Sequence, residues 1–202
     1  MKVRSALGAL RTARSEARST RRTVHRRIWE QAPPPPSSFA AFGDGAWLVP
    51  PLRIEGSERV SVGAGTVVLE HLELTAVDGA RVTIGPGVRL GRFVTITSAV
   101  SVSIGPHVSS SDGLSITDGW GPAGRALALP HPAAEPVVVE EGAYLGANCT
   151  IGPGVTIGRG AFVGEGAVVF EDVPSFSVVY GNPAVVVRRY DGEGHWSGRR
   201  FP

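Results

Sequence analysis

Cysteine is nearly absent from this sequence, since Cys149 is the single one among 202 residues. A lone thiol excludes an intramolecular disulfide and a cysteine-cluster zinc site, and it fits a reducing compartment. Long apolar runs are also missing, and none approaches the ~20 residues of a membrane-spanning helix. The basic N-terminus lacks the apolar core of a secretory signal, so we expect a cytoplasmic protein.

Charge is distributed unevenly along the chain. Residues 1–30 hold nine Lys and Arg against Glu16 and Glu30, a net charge of +7, whereas the remaining 172 residues carry a net charge of −5. The two parts therefore have different roles. Residues 1–36 are predicted to form a basic, helix-prone arm that ends in a stiff spacer at Pro33–Pro36. The arm is solvated, contacts another subunit or binds an anionic membrane surface, and it lacks a motif that reads nucleic acid.

A six-residue repeat begins at Val139. Its first position is aliphatic each time, at Val139, Leu145, Ile151, Ile157, Val163 and Val169. Three positions later stand residues that mostly accept positive φ at low cost, namely Gly142, Asn148, Gly154, Gly160, Gly166 and Asp172. Four positions later stand small or branched residues, namely Ala143, Cys149, Val155, Ala161, Ala167 and Val173. Because strand residues two apart share a face, each repeat predicts a short strand with an inward pair, followed by a corner.

The same spacing continues upstream in groups of three repeats. The first positions are Val62, Val68, Leu74, Ile84, Leu90, Ile96, Ile104, Ser110 and Ile116, with extra residues between the groups. Three repeats per group predict a triangular prism with one repeat on each face, and about five coils between Ile54 and Pro174. The period is neither that of an α-helix nor the irregular spacing of sandwich strands. The predicted fold class is therefore all-β, a parallel β-helix over residues 37–174.

The C-terminal part of the repeat carries a family resemblance. The segment IGPGVTIGRGAFVGEGAVVFEDVPSFSVVYGNPAVVVRR resembles the last coils and closing tail of the hexapeptide-repeat acyltransferases, such as galactoside, maltose, xenobiotic and polysaccharide O-acetyltransferases. The tail from Asp172 to Ala184 is more distinctive than the repeats, and residues 175–202 would close the prism. The resemblance implies left-handed winding, a homotrimer, acetyl-CoA bound in the groove between neighbouring prisms, and a histidine general base.

The resemblance also implies which residues contact the coenzyme. They are Ala147 and Glu165 along the pantetheine channel, with Phe170, Glu171 and Arg188 near the nucleotide end. Arg188 and Arg189 suit the coenzyme phosphates, because a guanidinium binds phosphate through two hydrogen bonds. The alternative for these two arginines is a solvated tail.

The repeat is interrupted by a long excursion at residues 117–136. A loop of this length in a tight repeat is usually functional. In the family that this chain resembles, the loop begins with the catalytic histidine, whereas Gly119, Trp120 and Gly121 stand here. Acyl transfer needs a base of near-neutral pKa for the acceptor hydroxyl and a backbone N–H for the oxyanion. The base must therefore come from elsewhere.

Two histidines are candidates for that base. His131 lies in the excursion, where Glu135 or Asp118 would orient its ring, and an exposed loop histidine is the alternative. His107 stands one coil before the excursion and is the second candidate. Both His107 and His71 fall on corner positions, where a purely structural role is the alternative.

Other side chains have competing interpretations. Trp120 is either a stacking platform for a sugar ring or an adenine, or a cover for the core, and Arg125 is a predicted substrate contact. Cys149 occupies the inward small position, so it belongs to the core. Zinc, as in the β-helical carbonic anhydrases, needs three converging imidazoles. His71 and His107 fall on different corners, so no metal site is predicted.

The leading functional hypothesis is transfer of an acetyl group from acetyl-CoA to a hydroxyl of a sugar or glycan. N-acylation of an amino sugar is a third interpretation that the sequence does not separate from O-acylation. A catalytically silent trimeric scaffold is the second hypothesis. It is motivated by the empty histidine position and by Glu171 and Val185, which stand where relatives often carry a basic residue.

The membrane role of the arm is testable by truncation. A chain lacking residues 1–30 is expected to lose binding to anionic liposomes at low salt, because the attraction is electrostatic and falls off within a Debye length. Co-sedimentation with liposomes, with neutral vesicles as the control, measures this. Equal binding by the full and truncated chains would leave the arm without a membrane role.

Overall fold

The computed structural model describes residues 32–119, 134–191, 193 and 195–198. Short strands follow one another from Ala41 onward, separated by tight corners. The first three coils contain Ala41–Phe42 (β1), Trp47–Leu48 (β2), Arg53–Glu55 (β3), Val60–Val62 (β4), Val67–Val68 (β5), Glu73–Ala76 (β6), Arg81–Ile84 (β7), Arg89–Leu90 (β8) and Thr95–Ser98 (β9). Short 3-10 turns at Pro36–Ser38 and Ser57–Arg59 precede β1 and β4.

The remaining coils continue the same succession. They contain Ser101–Ile104 (β10), Ser109–Ser110 (β11), Ser115–Thr117 (β12), Val137–Val139 (β13), Tyr144–Leu145 (β14), Thr150–Ile151 (β15), Thr156–Ile157 (β16), Phe162–Val163 (β17) and Val168–Val169 (β18). The chain then forms Ser177–Gly181 (β19), Ala184–Tyr190 (β20) and Trp196–Gly198 (β21). Within these described ranges, no helix is long and apolar enough to cross a bilayer.

Every third strand belongs to the same sheet, which makes the three faces of a prism. Face A has the order β1-β4-β7-β10-β13-β16, face B begins β2-β5-β8-β11-β14-β17-β19, and face C is β3-β6-β9-β12-β15-β18. All of these pairings are parallel. The corners are named AB, BC and CA after the faces that they join in chain order. The fold is the predicted left-handed parallel β-helix.

The interior is built from the six-residue ladder. Ile104 pairs with Ile84 on one side and Val139 on the other, and Ile116 likewise lies between Ile96 and Ile151. These five isoleucines and Val139 are at most 2% exposed. Burial stabilises the fold by about 1.5–3 kcal/mol for each such side chain. The predicted inward register is confirmed.

The corners take the conformation that the sequence predicts. Gly142, Asn148, Gly154, Gly160 and Gly166 all have positive φ, between 56° and 75°. His71 and His107 share it, at φ 67° and 56°. Asp172 does not, and its carboxylate accepts a hydrogen bond from the Thr156 N–H at 2.7 Å instead. Two phenylalanines, Phe93 and Phe176, adopt positive φ without having been predicted to.

The prism has six complete coils, one more than the repeat pattern predicts. The additional coil is the first, in which Phe42 pairs with Val62, Leu48 with Val68 and Ile54 with Leu74. This coil was not predicted, because an aromatic residue stands at its first inward position and the pair Pro50-Pro51 interrupts the repeat. At the other end, β19 to β21 form an antiparallel extension of face B.

A charge in the interior should abolish folding. Ile151 is fully buried between Ile116 and Val169, so Ile151→Asp is expected to give insoluble protein, because an unpaired buried charge is far costlier than the cavity of a truncation. Solubility and thermal unfolding measure the effect. The control is Val138→Asp on the outward side of β13, where 36% of the residue is exposed. Soluble, cooperatively unfolding Ile151→Asp protein would show that the register is wrong.

Candidate functional site

The excursion leaves and re-enters the prism at corner CA. The Glu135 N–H donates to the Asp118 carbonyl at 2.8 Å, and the Gly154 N–H of the next coil donates to the Glu135 carbonyl at 3.1 Å. A side chain at Gly119 would meet the Ala134 Cβ at 3.2 Å, so the two stems lie side by side. The intervening residues are therefore attached to the corner at both ends.

Asp118 is fully buried, and its carboxylate is engaged by the coil below. It accepts hydrogen bonds from the Ser98 hydroxyl at 2.8 Å, the Ala99 N–H at 2.6 Å and the Val100 N–H at 2.9 Å. These contacts fix the tight turn between β9 and β10. These hydrogen bonds give Asp118 a structural role, which is an alternative to the predicted role in catalysis.

Glu135 contrasts with Asp118, because it is exposed. Its carboxylate lies over Gly154, in the space that a Cβ there would occupy. Of the two acids predicted to orient His131, Glu135 is the one with an accessible carboxylate. Trp120, Arg125 and His131 themselves lie outside the described residues.

His107 lies at corner AB, away from the excursion. It is exposed, and a Cβ on Gly87 of the preceding coil would lie 2.6 Å from its Nδ1. The next coil carries two acids at this corner, Glu140 and Glu141, and the coil after it carries Arg159. The Arg159 N–H donates to a carboxylate oxygen of Glu140 at 2.7 Å, and the Arg159 guanidinium lies 3.7 Å from Glu141. An imidazole in this position is open to solvent and has carboxylates on the following coil.

Corner BC brings together Ala147 and Glu165, two of the residues predicted to line the coenzyme channel. They occupy the same corner position one coil apart, and the Gly166 N–H donates to the Ala147 carbonyl at 2.8 Å. Glu165 is exposed and Ala147 half-buried. This edge of the prism therefore carries both predicted channel residues on neighbouring coils.

An aromatic row on the outside of face B borders this corner. The rings of Tyr144 and Phe162 stack with centroids 4.9 Å apart, and Tyr180 follows at 6.1 Å from Phe162. The Tyr180 ring occupies the space that a side chain at Gly164 would need. Burial is the largest cause that raises the pKa of Tyr180, and the charge of Glu165 adds to it.

The remaining predicted coenzyme contacts lie elsewhere. Phe170, with 50% of its surface exposed, and the exposed Glu171 follow β18 into corner CA. Arg188 and Arg189 are in β20, and the Arg188 guanidinium lies 4.9 Å above the Trp196 ring. Arg188 is half-buried, whereas Arg189 is exposed, so Arg189 is the freer of the two for a phosphate. Within one chain, the predicted coenzyme contacts therefore lie at two corners and in the terminal hairpin.

The structure also locates the lone cysteine and the two corner histidines that were considered as zinc ligands. Cys149 is fully buried, and burial raises its thiol pKa to about 12, so the core role is confirmed. His71 is at corner BC and His107 at corner AB, as predicted. In the ranges that the structure covers, no three His, Cys, Asp or Glu side chains are grouped to hold a metal ion.

Sequence reasoning missed one group at corner BC. Phe93 stacks on His71. The Arg92 guanidinium beside it donates to Glu70 at 3.0 Å and forms a second ion pair with Asp112 at 3.8 Å. The backbone N–H of Glu70 is the largest cause that lowers the pKa of its carboxyl, and the charge and hydrogen bond of Arg92 add to it. The available signal was an aromatic residue at a position where most repeats carry Gly, Asn or His.

Comparison with known proteins identifies the repeat. Residues 136–171 match the model of the bacterial transferase hexapeptide, with six repeats. The chain is 38% identical over 109 residues to serine acetyltransferase 2 of Arabidopsis thaliana, covering 53% of this chain and 32% of that protein. It is 34% identical over 135 residues to 2,3,4,5-tetrahydropyridine-2,6-dicarboxylate N-acetyltransferase of Halalkalibacterium halodurans, covering 66% of this chain and 54% of that protein. The chain spans about half or less of the length of these curated relatives.

Solved structures show the same architecture. The N-acyltransferase AntD from Bacillus cereus, in complex with dTDP and 3-hydroxybutyryl-CoA, has a TM-score of 0.66 at 19% identity, covering 75% of this chain and 83% of that one. A variant of AntD with dTDP-4-amino-4,6-dideoxyglucose and coenzyme A gives a TM-score of 0.64 at 18% identity, covering 74% and 83%. The fold defines a parallel β-helix protein. Its repeat at residues 136–171 is similar to that of the bacterial hexapeptide transferases.

The role of Asp118 can be decided by two substitutions. Asp118→Ala should lower the free energy of unfolding by about 3 kcal/mol, because three donors lose their buried acceptor, and Asp118→Asn should lower it by less, since one carbonyl oxygen remains. Urea unfolding monitored by circular dichroism measures both. Unchanged stability together with lost activity would instead assign Asp118 to the chemistry.

Proposed function

We propose that this chain is a coenzyme-A-dependent acyltransferase that transfers an acetyl group from acetyl-CoA to a hydroxyl of a sugar or glycan. The observation that carries the proposal is a prism with a transferase-like hexapeptide repeat and one long excursion, whose two stems are hydrogen-bonded at corner CA. Two curated relatives are acetyltransferases, and AntD structures contain coenzyme A or 3-hydroxybutyryl-CoA. The coenzyme is a co-substrate here, and no metal is invoked.

The reaction requires a base and an oxyanion donor. The acceptor oxygen attacks the thioester carbonyl carbon while the base takes its proton, and the resulting oxyanion accepts a hydrogen bond from a backbone N–H. The C–S bond then breaks, and the coenzyme thiolate recovers a proton from the protonated base. His131 is our proposed base and Glu135 the acid that orients it, because Glu135 presents an exposed carboxylate at the end of the excursion. His107 is the second candidate.

The placement of the contacts supports assembly into a homotrimer. Ala147 and Glu165 are at corner BC, whereas the excursion stems, Phe170 and Glu171 are at corner CA. Within one prism these corners are separated by a full face, so a groove that uses both needs a second copy. We place acetyl-CoA in that groove, with Arg188 or Arg189 toward its phosphates. Trp120 and Arg125 would face the acceptor.

The acceptor atom distinguishes two versions of this function. Relatives include one enzyme named for serine and others named for N-acyl transfer, and AntD is complexed with an amino sugar nucleotide. A deprotonated amine needs less help from a base than a hydroxyl does, which favours N-acylation if His131 is dispensable. We also propose a cytoplasmic location, with the basic arm of residues 1–30 at the inner membrane surface.

Coenzyme binding is the first test of the enzyme proposal. Coenzyme A at about 100 times its dissociation constant should stabilise the folded chain by about 2.7 kcal/mol, which raises the unfolding midpoint with ligand concentration. Thermal scans with coenzyme A, and with pantetheine as a control lacking the nucleotide, measure the shift. No shift at millimolar coenzyme would overturn the proposal and favour a silent scaffold.

Turnover then identifies the base. Labelled acetyl-CoA with a panel of sugars and amino sugars should show transfer that falls at least a hundredfold in His131→Ala, because general-base catalysis contributes about 10²–10⁴-fold. His107→Ala is the matched control. Equal turnover by His131→Ala and the wild type would remove His131 from the mechanism, and a loss in His107→Ala alone would transfer its role to that residue.

A further inference from the structure

The first coil carries an exposed apolar patch at the N-terminal end of the prism. Trp47 in β2 is 66% exposed, which makes it the most exposed large hydrophobic side chain in the described ranges. A groove of about 290 Å³ lies beside it, and the residues that line this groove form the Trp47 patch, namely Pro33, Pro34, Pro36, Phe42, Ala46, Trp47, Leu48 and Pro50. A contiguous apolar surface of this kind marks an interaction site.

The Trp47 patch contains few groups that need water. Asp44 is the only charged residue between Ala32 and Leu52 in the sequence. Four of the eight lining residues are prolines, which have no backbone N–H and so leave no donor unpaired when water is removed. Transfer of this surface out of water therefore has a small polar penalty. The missing donors also disfavour an added peptide strand, which binds through backbone hydrogen bonds.

The chain segment that precedes the patch is strongly basic. Residues 1–30 carry a net charge of +7, and the described chain begins at Ala32, next to Pro33 of the groove. Arg27 precedes Pro33 by six residues, so their Cα atoms are at most about 22 Å apart in any conformation. The covalent chain thus keeps cationic side chains and the apolar patch at the same end of the molecule.

We propose that the Trp47 patch inserts into the interfacial region of an anionic lipid bilayer, beside the basic arm. Tryptophan is enriched at membrane interfaces, where its ring contacts apolar groups and its N–H reaches polar ones. A basic segment or a small apolar contact alone binds a membrane weakly and reversibly, whereas two such signals together anchor a protein. This inference rests on the proposed membrane contact of the arm and extends it into the folded prism.

Anchoring at the Trp47 patch also sets the position of the excursion relative to the bilayer. Trp47 is in the first coil, whereas Asp118, at the start of the excursion stem, follows β12 in the fourth. Three coils at about 4.8 Å each separate the two by about 14 Å along the prism axis. Groups that extend from the lipid headgroups are therefore within reach of corner CA.

The test compares two exposed tryptophans on face B. Trp47→Ser in the full chain should lower partitioning onto vesicles of phosphatidylglycerol and phosphatidylcholine about tenfold at fixed salt, because one large apolar contact is lost. Co-sedimentation measures this. Trp196→Ser is the matched control, since Trp196 in β21 is 47% exposed at the opposite end of the same face, and it should partition as the wild type does. Circular dichroism and the thermal midpoint check that both variants are folded.

Fluorescence gives a second, independent readout of insertion. Lipids brominated in their acyl chains quench a tryptophan that lies among them. Addition of such vesicles should quench the wild-type emission, and Trp47→Ser should lose part of this quenching while Trp196→Ser loses none.

The possible results separate the alternatives. No vesicle binding by the wild type overturns the proposal, and so does equal partitioning of Trp47→Ser and the wild type, even where removal of residues 1–30 abolishes binding. An equal loss in Trp196→Ser overturns it as well. A changed oligomeric mass in Trp47→Ser with unchanged vesicle binding assigns the patch to a second copy and rejects the lipid. Trp47-dependent vesicle binding by a chain that does not bind coenzyme A keeps the patch and rejects acyl transfer.

Discussion

The stacking of inward side chains from coil to coil is the constraint on which the whole molecule depends. Each interior residue, such as Ile116, is enclosed by the equivalent residues above and below it, so a six-residue spacing is maintained wherever the prism is continuous. The corners follow from this requirement, because the chain must turn within a few residues. Everything chemical is consequently placed at corners, on outer faces or in insertions.

How well the structure could be predicted differs between the regular repeat and the positions that depart from it. The interior and the conformation of corners such as Asn148 could be read from the sequence, because both depend on local residue type and a fixed period. The first coil could not, since Phe42 breaks the aliphatic pattern. Phe93 was missed because an aromatic residue is a poor left-handed former, and only tertiary context keeps it there.

The contacts at the candidate site were harder to predict, because the residues that meet there are distant in sequence. Asp118 was assigned to orient a histidine, yet its hydrogen bonds go to Ser98, Ala99 and Val100, some 20 residues earlier. One coil occupies about that many residues, so the contact is invisible to local motifs. Likewise, the predicted coenzyme contacts follow one another along the chain but occupy different corners, which makes a neighbouring copy part of the proposed site.

The antiparallel hairpin at the C-terminal end affects how the molecule behaves at high concentration. A solenoid of parallel strands ends in unpaired backbone N–H and carbonyl groups, which are a template for adding further strands from another chain. On face B, β20 reverses direction against β19, and β21 then pairs with β20, so the strand at that edge runs along a different register from the coils. On face B this arrangement disfavours the addition of a parallel strand from another chain, and it leaves lateral association of prisms unaffected.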